Sequence, residues 1–262
     1  LLIRHPVLRS TFVDTDLGPR QRVWDHLEMP LQLVDGSYWN ETELDTWLNQ
    51  EADAPFDLQT QSCLRVKLIR NSVRGDILIA TIHHVGADLW ALLIVAKDIR
   101  EFYQRAARGE VLALEPLAAT YRQHVEWQQQ FMDSPRGRQE RRFWQRTLQG
   151  APMQVSVPPD FTRPPVLLLQ SQLIRQEAGA DTCTAIRQFC KRHGVTPFVF
   201  VQTALQLLVH ARTGAQDFLL GTPTMGRSRQ GMDQVVGDFA NPVVLRAKVQ
   251  PQRNLLSLLQ QV

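Results

Sequence analysis

A short apolar run that ends in two histidines constrains this sequence more than any other feature. Residues 77–82 are apolar on both alternating faces, which is typical of a strand covered on each side. His83 and His84 follow directly, Gly86 interrupts the pattern, and Asp88 stands where an N-cap begins a helix. The sequence therefore predicts a central strand, a loop and a helix, with both histidines at the strand end.

The flanking segments predict further helices and strands. Asn40 and Glu43 form a capping-box pattern at the start of a helix over 41–52. Alternation from Leu64 to Leu68, followed by turn-forming residues, predicts a hairpin with the strand at 77–82. Apolar residues at helical spacing predict a helix after Asp88. Other helices are predicted around 121–131, near 143–150, and at 181–193 and 196–212, and strands at 166–176, 217–222 and 242–249.

The helical pattern lapses at residues 109–116, which is the best candidate for a boundary between two lobes. We therefore expect an N-terminal lobe over 1–115 and a C-terminal lobe over 116–262. The chain begins at Leu1 without a methionine and stops within an amphipathic segment. We expect both ends to be cut.

Composition narrows the class of protein. With 262 residues, 44% hydrophobic and 21% charged, the chain has ordinary globular composition. Five arginines between residues 136 and 146 predict either a solvated helix face or a docking surface for an acidic partner. We expect no nucleic-acid platform in this stretch. Three widely spaced cysteines predict reduced side chains in a cytoplasmic protein, and no apolar run reaches membrane-spanning length.

The histidine pair is compatible with more than one role. Histidine exchanges protons near neutral pH, because its unperturbed pKa is about 6.5. Side chains alternate along a strand, so His83 and His84 should diverge and are poorly placed to share a metal ion. By position alone, such a pair suits a structural role as well as a catalytic one. Asp88 favours the catalytic role, because a buried carboxylate paired with an arginine would fix the orientation of the loop. A buried carboxylate needs such a partner, since an unpaired buried charge is costly.

Four motifs together resemble the condensation domain family. Residues 83–89 resemble the HHxxxDG signature, and residues 4–12 resemble RHExLRTxF. Residues 121–127 are similar to YxDYAxW, and residues 236–242 are similar to VGxFVNT. Order and spacing agree over nearly the whole chain. The resemblance implies an α/β fold with a mixed sheet and the two-lobe architecture of chloramphenicol acetyltransferase, here with an incomplete second lobe.

The resemblance also implies a function. Condensation domains of nonribosomal peptide synthetases, and of hybrid polyketide and peptide synthetases, join two substrates held on the 4′-phosphopantetheine of carrier proteins. One carrier presents an acyl or peptidyl thioester and the other an amine, and His84 is the implied catalytic residue. The expected partners are upstream and downstream carrier domains and an adjacent adenylation domain. No metal, intrinsically bound cofactor, nucleic acid or membrane is expected.

Residues around His84 are implied to support it. Asp88 is expected to be structural, with Arg4 or Arg9 as its partner by family analogy. His83 is expected to pack and hydrogen-bond behind the site. Backbone N–H groups near Gly86, and at the start of the following helix, are candidate donors to the oxyanion.

Two second-lobe residues and two rival functions complete the hypothesis. Residues 221–227, which include Arg227, resemble the family's strand-end loop near the cleft, or they form a surface turn. Asn241 is expected to bond a loop across the cleft rather than to cap an exposed edge. Leu89 replaces the glycine of the signature and adds bulk beside the site. An epimerisation domain carries the same histidine signature, and a catalytically silent docking module would keep only the carrier contacts. Both stay open as alternatives to condensation.

Overall fold

The computed structural model describes residues 1–27, 31–155, 157–162, 164–166 and 174–262. Within these ranges the chain contains both helices and strands, and a short 3-10 helix at Pro6–Arg9 precedes the first strand. In chain order the elements are β1 (Ser10–Val13), β2 (Arg20–Val23), β3 (Gln32–Asp35), α1 (Glu41–Asp53), β4 (Leu64–Ser72), β5 (Gly75–Ile82), α2 (Leu89–Ala107), α3 (Tyr121–Asp133), α4 (Pro135–Leu148), α5 (Ala180–His193), α6 (Pro197–Thr213), β6 (Asp217–Thr224), β7 (Asn241–Lys248) and α7 (Leu255–Gln261).

The chain forms two compact units. The first consists of Leu1–Ser134 and Thr224–Asn241, and the second of Pro135–Pro223 and Pro242–Val262. The segment Thr224–Asn241, called the returning segment below, therefore belongs to the unit that contains the histidine loop. The division into lobes at 1–115 and 116–262 stays a prediction.

The first unit contains a mixed three-stranded sheet in the order β3, β4, β5. β3 is parallel to β4, and β4 is antiparallel to β5, which confirms the predicted hairpin. The prediction of a central strand at 77–82 is wrong, because within the described sheet β5 lies at the edge. One face of β5 instead lines a groove of about 680 Å³ with α2. Leu78, Ala80 and Ile82 line this groove, and no residue of β5 is fully buried. In the described sheet the strand has one hydrogen-bonded neighbour.

Local capping explains where the helices of the first unit begin. Asn40 accepts from Glu43 N, and Glu43 caps Asn40 N in return, which confirms the predicted capping box of α1. Asp88 caps α2 as predicted, by accepting from Ala91 N at 2.7 Å. The apolar stripe of α2 then packs into the core of the unit. The buried residues of this core are Val7, Leu8, Cys63, Leu64, Ala87, Ala91, Ile94, Val95 and Val236.

The second unit contains α4 to α7 and the strands β6 and β7, which pair with each other. The predictions of helices at 181–193 and 196–212 and of strands at 217–222 and 242–249 are confirmed. The predicted strand at 166–176 falls mostly on 167–173, outside the described residues. The apolar core of the second unit consists of Val209, Phe218, Ala247 and Val249.

Within the described residues, no single helix combines the length and the apolar character needed to cross a bilayer. The helices α5 and α6 meet those two criteria only as a pair, across a bend of 103°.

Candidate functional site

The loop between β5 and α2 is held tightly against the core. His83 N donates to the carbonyl of Cys63 at 2.8 Å, and Gly86 N donates back to the carbonyl of His83 at 2.9 Å. A Cβ at Gly86 would collide with the Cys63 sulfur, so only glycine fits without movement of the core. Burial raises the pKa of the Cys63 thiol to about 11, so the thiol stays protonated as a packing group.

The N–H groups of this loop are used within it. Val85 N donates to His83 Nδ1 at 3.1 Å, and Ala87 N donates to the carbonyl of His84 at 3.3 Å. Gly86 N is taken by the carbonyl of His83. The N–H groups nearest Gly86 are therefore committed to the turn, and the start of α2 stays the candidate source of oxyanion donors.

The two histidines have different neighbours. His83 is half-buried, and its ring lies edge-on to Phe56 with the ring centroids 5.7 Å apart. The His84 side chain is 74% exposed, and its Nδ1 lies 3.4 Å from Oδ2 of Asp238. Among the described residues, no three His, Cys, Asp or Glu side chains are grouped so as to hold a metal ion. His84 is thus the member of the pair that solvent or a substrate can reach.

Asp88 is buried behind this loop and accepts three hydrogen bonds. Its Oδ1 accepts from Ala91 N at 2.7 Å and from Arg227 Nη2 at 2.9 Å, and its Oδ2 accepts from Phe239 N at 3.0 Å. Its own N–H donates to the carbonyl of Gly237 at 3.3 Å. The carboxylate therefore joins the start of α2 to the returning segment, and its charge is both paired and hydrogen-bonded.

The Arg227 guanidinium donates hydrogen bonds to several backbone carbonyls of the returning segment. Nη1 donates to the carbonyls of Met232 and Val235, at 3.0 and 2.6 Å, and Nη2 also donates to the carbonyl of Gly237 at 3.3 Å. The guanidinium carbon lies 4.0 Å from the centroid of the Phe239 ring. Arg227 thus shapes the segment as well as neutralising Asp88.

The prediction that Arg4 or Arg9 pairs with Asp88 is wrong. Arg4 Nε donates to Asp98 of α2 at 2.8 Å, ten residues beyond Asp88 on the same helix. Arg9 donates to the carbonyl of Trp24 instead. Arg4 thus joins the N-terminal segment to α2, and Arg9 joins the 3-10 helix to the residue after β2. The arginine that pairs with Asp88 is Arg227, which comes from the returning segment.

His5 shares the carboxylate that binds Arg4. Its Nε2 lies 2.7 Å from Asp98 Oδ2, and its ring is fully buried. Burial lowers the pKa of His5, and the hydrogen bond to Asp98 offsets part of that effect. His5 is therefore a neutral packing residue at neutral pH.

Arg227 and Asn241 are the other two positions that the sequence predicted. Arg227, assigned to the second lobe by the resemblance, lies in the same compact unit as His84. Asn241 begins β7, is exposed, and accepts at its backbone carbonyl from the Thr224 hydroxyl at 2.8 Å. The predicted bond of its side chain across the cleft stays a prediction.

Two residues near His84 were not predicted as site residues from the sequence. Asp238 occupies the open position of the VGxFVNT pattern, so the motif gave no signal for its approach to His84. Tyr121 donates its hydroxyl to the carbonyl of Asp238 at 2.7 Å. Burial, together with the negative charges of Asp238 and Asp88, raises the pKa of Tyr121, so the phenol stays a donor.

Comparison with known proteins places this geometry in a family. The family model of the condensation domain matches residues 1–262. A phosphinothricin tripeptide synthetase from Streptomyces viridochromogenes is 30% identical over 263 residues, which cover 99% of this chain and 24% of that protein. The chain spans a quarter or less of the length of such curated relatives.

Two solved structures show the same fold over 99% of this chain. The X-domain from teicoplanin biosynthesis has a TM-score of 0.88 at 22% identity, with 58% of that chain covered. The first condensation domain of the calcium-dependent antibiotic synthetase, solved with a substrate analogue, has a TM-score of 0.80 at 17% identity, with 61% covered. The expected mixed α/β fold of the chloramphenicol acetyltransferase type is confirmed. This chain belongs to the condensation domain family of nonribosomal peptide synthetases.

Proposed function

We propose that this chain catalyses amide bond formation between a carrier-bound acyl or peptidyl thioester and a carrier-bound aminoacyl amine. His84 hydrogen-bonds the attacking amine and accepts its proton. One observation carries the proposal: the His84 ring is 74% exposed, while the backbone of its loop is fixed by internal hydrogen bonds and by the buried Asp88. An exposed imidazole on a rigid loop is suited to meeting a substrate in a set orientation.

The reaction needs positioning more than a strong base. A free α-amino group has a pKa of about 8, so about a tenth of it is already neutral at pH 7. The amine nitrogen bonds to the thioester carbonyl carbon, and His84 takes the proton as the tetrahedral intermediate forms. The C–S bond then breaks, and the proton passes to the departing pantetheine sulfur. Positioning can supply about 7 to 11 kcal/mol of the barrier, and general base help is typically about 100 to 10,000-fold.

The partners follow from the same proposal. Both substrates arrive on 4′-phosphopantetheine arms of upstream and downstream carrier domains, and an adjacent adenylation domain loads one of them. The curated relatives include a phosphinothricin tripeptide synthetase and a linear gramicidin synthase subunit, and each is several times longer than the matched region. This supports a multidomain setting for the chain.

The test uses the chain within its full-length polypeptide, with both carrier domains loaded, and follows the condensed product by intact mass. We expect His84→Ala to lower the rate about 100 to 10,000-fold. The matched control is His26→Ala, which removes an exposed histidine of the same compact unit. Its rate should equal that of the wild type.

Two outcomes would contradict condensation and favour its rivals. Exchange of the α-proton of the loaded aminoacyl group without a condensed product would identify an epimerisation domain. Carrier binding without any reaction in the wild type would identify a silent docking module.

A further inference from the structure

We propose that Asp238 is a positioning residue for His84. Its carboxylate accepts a hydrogen bond from His84 Nδ1–H, which leaves Nε2 as the nitrogen with the lone pair for the attacking amine. This inference rests on the proposed function for its chemical consequence. The family pattern leaves position 238 open, so the resemblance assigns no role to this aspartate.

The two oxygens of the Asp238 carboxylate face different neighbours. Oδ1 of Asp238 accepts from Ala240 N at 3.2 Å, which orients the carboxylate. Oδ2 lies 3.4 Å from His84 Nδ1. Among the described residues, Asp238 supplies the carboxylate that lies within 4 Å of the His84 ring, and none of them hydrogen-bonds Nε2 of that ring. Catalytic hydrogen bonds are often long before substrate binds and shorten in the complex.

The backbone that carries Asp238 is fixed on both sides. The Tyr121 hydroxyl donates to the carbonyl of Asp238 at 2.7 Å. The preceding carbonyl, of Gly237, accepts from Asp88 N, and the following N–H, of Phe239, donates to Asp88 Oδ2. A Cβ at Gly237 would collide with the Tyr121 ring, so this close approach requires glycine. The buried carboxylate that holds the His84 loop thus also holds the residue that faces it.

A carboxylate at Nδ1 selects one of the two neutral forms of imidazole. Since the carboxylate accepts only, the proton sits on Nδ1, and Nε2 keeps its lone pair. The Asp238 side chain is 33% exposed, so solvent screens its charge and geometry is the main effect. The same logic fixes the imidazole in carboxylate–histidine pairs of hydrolases and metal sites.

The decisive variant is Asp238→Asn, which keeps the size of the side chain and the acceptor for Ala240 N. Its amide then presents a donor to His84 Nδ1, which should move the proton to Nε2. We expect 15N NMR of the histidine-labelled full-length protein to report Nδ1–H in the wild type and Nε2–H in the variant, with the His84 signal identified by His84→Gln. In the condensation assay, kcat should fall about 10 to 100-fold, with the KM for the loaded carrier unchanged.

Asp233→Asn is the matched control, because Asp233 is an exposed carboxylate of the same returning segment. It should leave both the NMR signals and kcat unchanged. A wild type with the proton on Nε2, or an unchanged tautomer in Asp238→Asn, would overturn the proposal whatever the activity. A tautomer that inverts in a protein without condensation activity would support the positioning contact and reject the proposed function, so the two failures are distinguishable.

Discussion

Asp88 and Arg227 lie 139 positions apart in the sequence, and their side chains form an ion pair at 2.9 Å with each side chain only 5% exposed. The same carboxylate begins α2 and accepts the N–H of Phe239. One side chain therefore fixes both the loop that carries His84 and the segment that faces it.

Arg227→Met should destabilise the protein by about 3 to 5 kcal/mol, because it leaves the Asp88 charge buried without its partner. The free energy of unfolding in urea measures this loss. Arg122→Met is the control, since it removes an exposed pair with Glu126 and should cost less than about 1 kcal/mol. Combining Arg227→Met with Asp88→Asn should recover part of the loss. If the two variants lose the same free energy of unfolding, the buried pair between Arg227 and Asp88 contributes no more to stability than the exposed one.

Gly86→Ala should cost about 1 to 3 kcal/mol, because the new methyl group meets the Cys63 sulfur in a close-packed core. Adding Cys63→Ala should restore part of the stability, as measured by the free energy of unfolding in a double-mutant cycle. Gly221→Ala serves for comparison, because a Cβ there has no atom within 4 Å. If the second substitution restores nothing, the two side chains do not compete for this space.

The stability of the protein should fall as the pH drops below about 6.5. Burial lowers the pKa of His5 and also that of His124, so each takes up a proton more readily in the unfolded chain. The stabilising contribution is complete above the unfolded pKa of 6.5 and is lost as the pH falls towards the folded one. Urea unfolding between pH 8 and pH 5 should show a shallower pH dependence in His5→Gln. An unchanged slope would mean that His5 is not held neutral.

Tyr121→Phe removes the hydroxyl that donates to the carbonyl of Asp238 and keeps the packing of the ring. We expect a loss of about 0.5 to 1.5 kcal/mol in the free energy of unfolding. Tyr103→Phe, at a tyrosine that is 75% exposed, should be neutral. Identical unfolding curves for the two variants would show that this hydroxyl contributes nothing.

The parts of the fold that depend on local chemistry were predictable. Asn40 and Asp88 predict where α1 and α2 begin, because a capping side chain accepts hydrogen bonds from N–H groups within three residues. The hairpin between β4 and β5 was equally visible, since turn residues separate two apolar runs. These elements need no knowledge of the rest of the chain.

The contacts that build the candidate site were harder to predict, because they join distant segments. Nothing local to Asp88 distinguishes Arg227 from Arg4 or Arg9, and family analogy favoured the wrong pair. Asp238 faces His84 only because the chain returns about 150 residues later. The edge position of β5 was missed because apolar residues on both faces of a strand predict burial, whereas no residue of β5 is fully buried and the strand ends the described sheet.

The buried network around Asp88 separates what must stay constant from what can change. Val85 and Leu89 flank it on the same loop and the first turn of α2, and their side chains are exposed. Substitutions at these two exposed positions should leave the carboxylate, the guanidinium and the glycine turn in place, and each should change the free energy of unfolding by less than about 0.5 kcal/mol. The surface next to the histidine loop can therefore vary at this pair with little cost to folding.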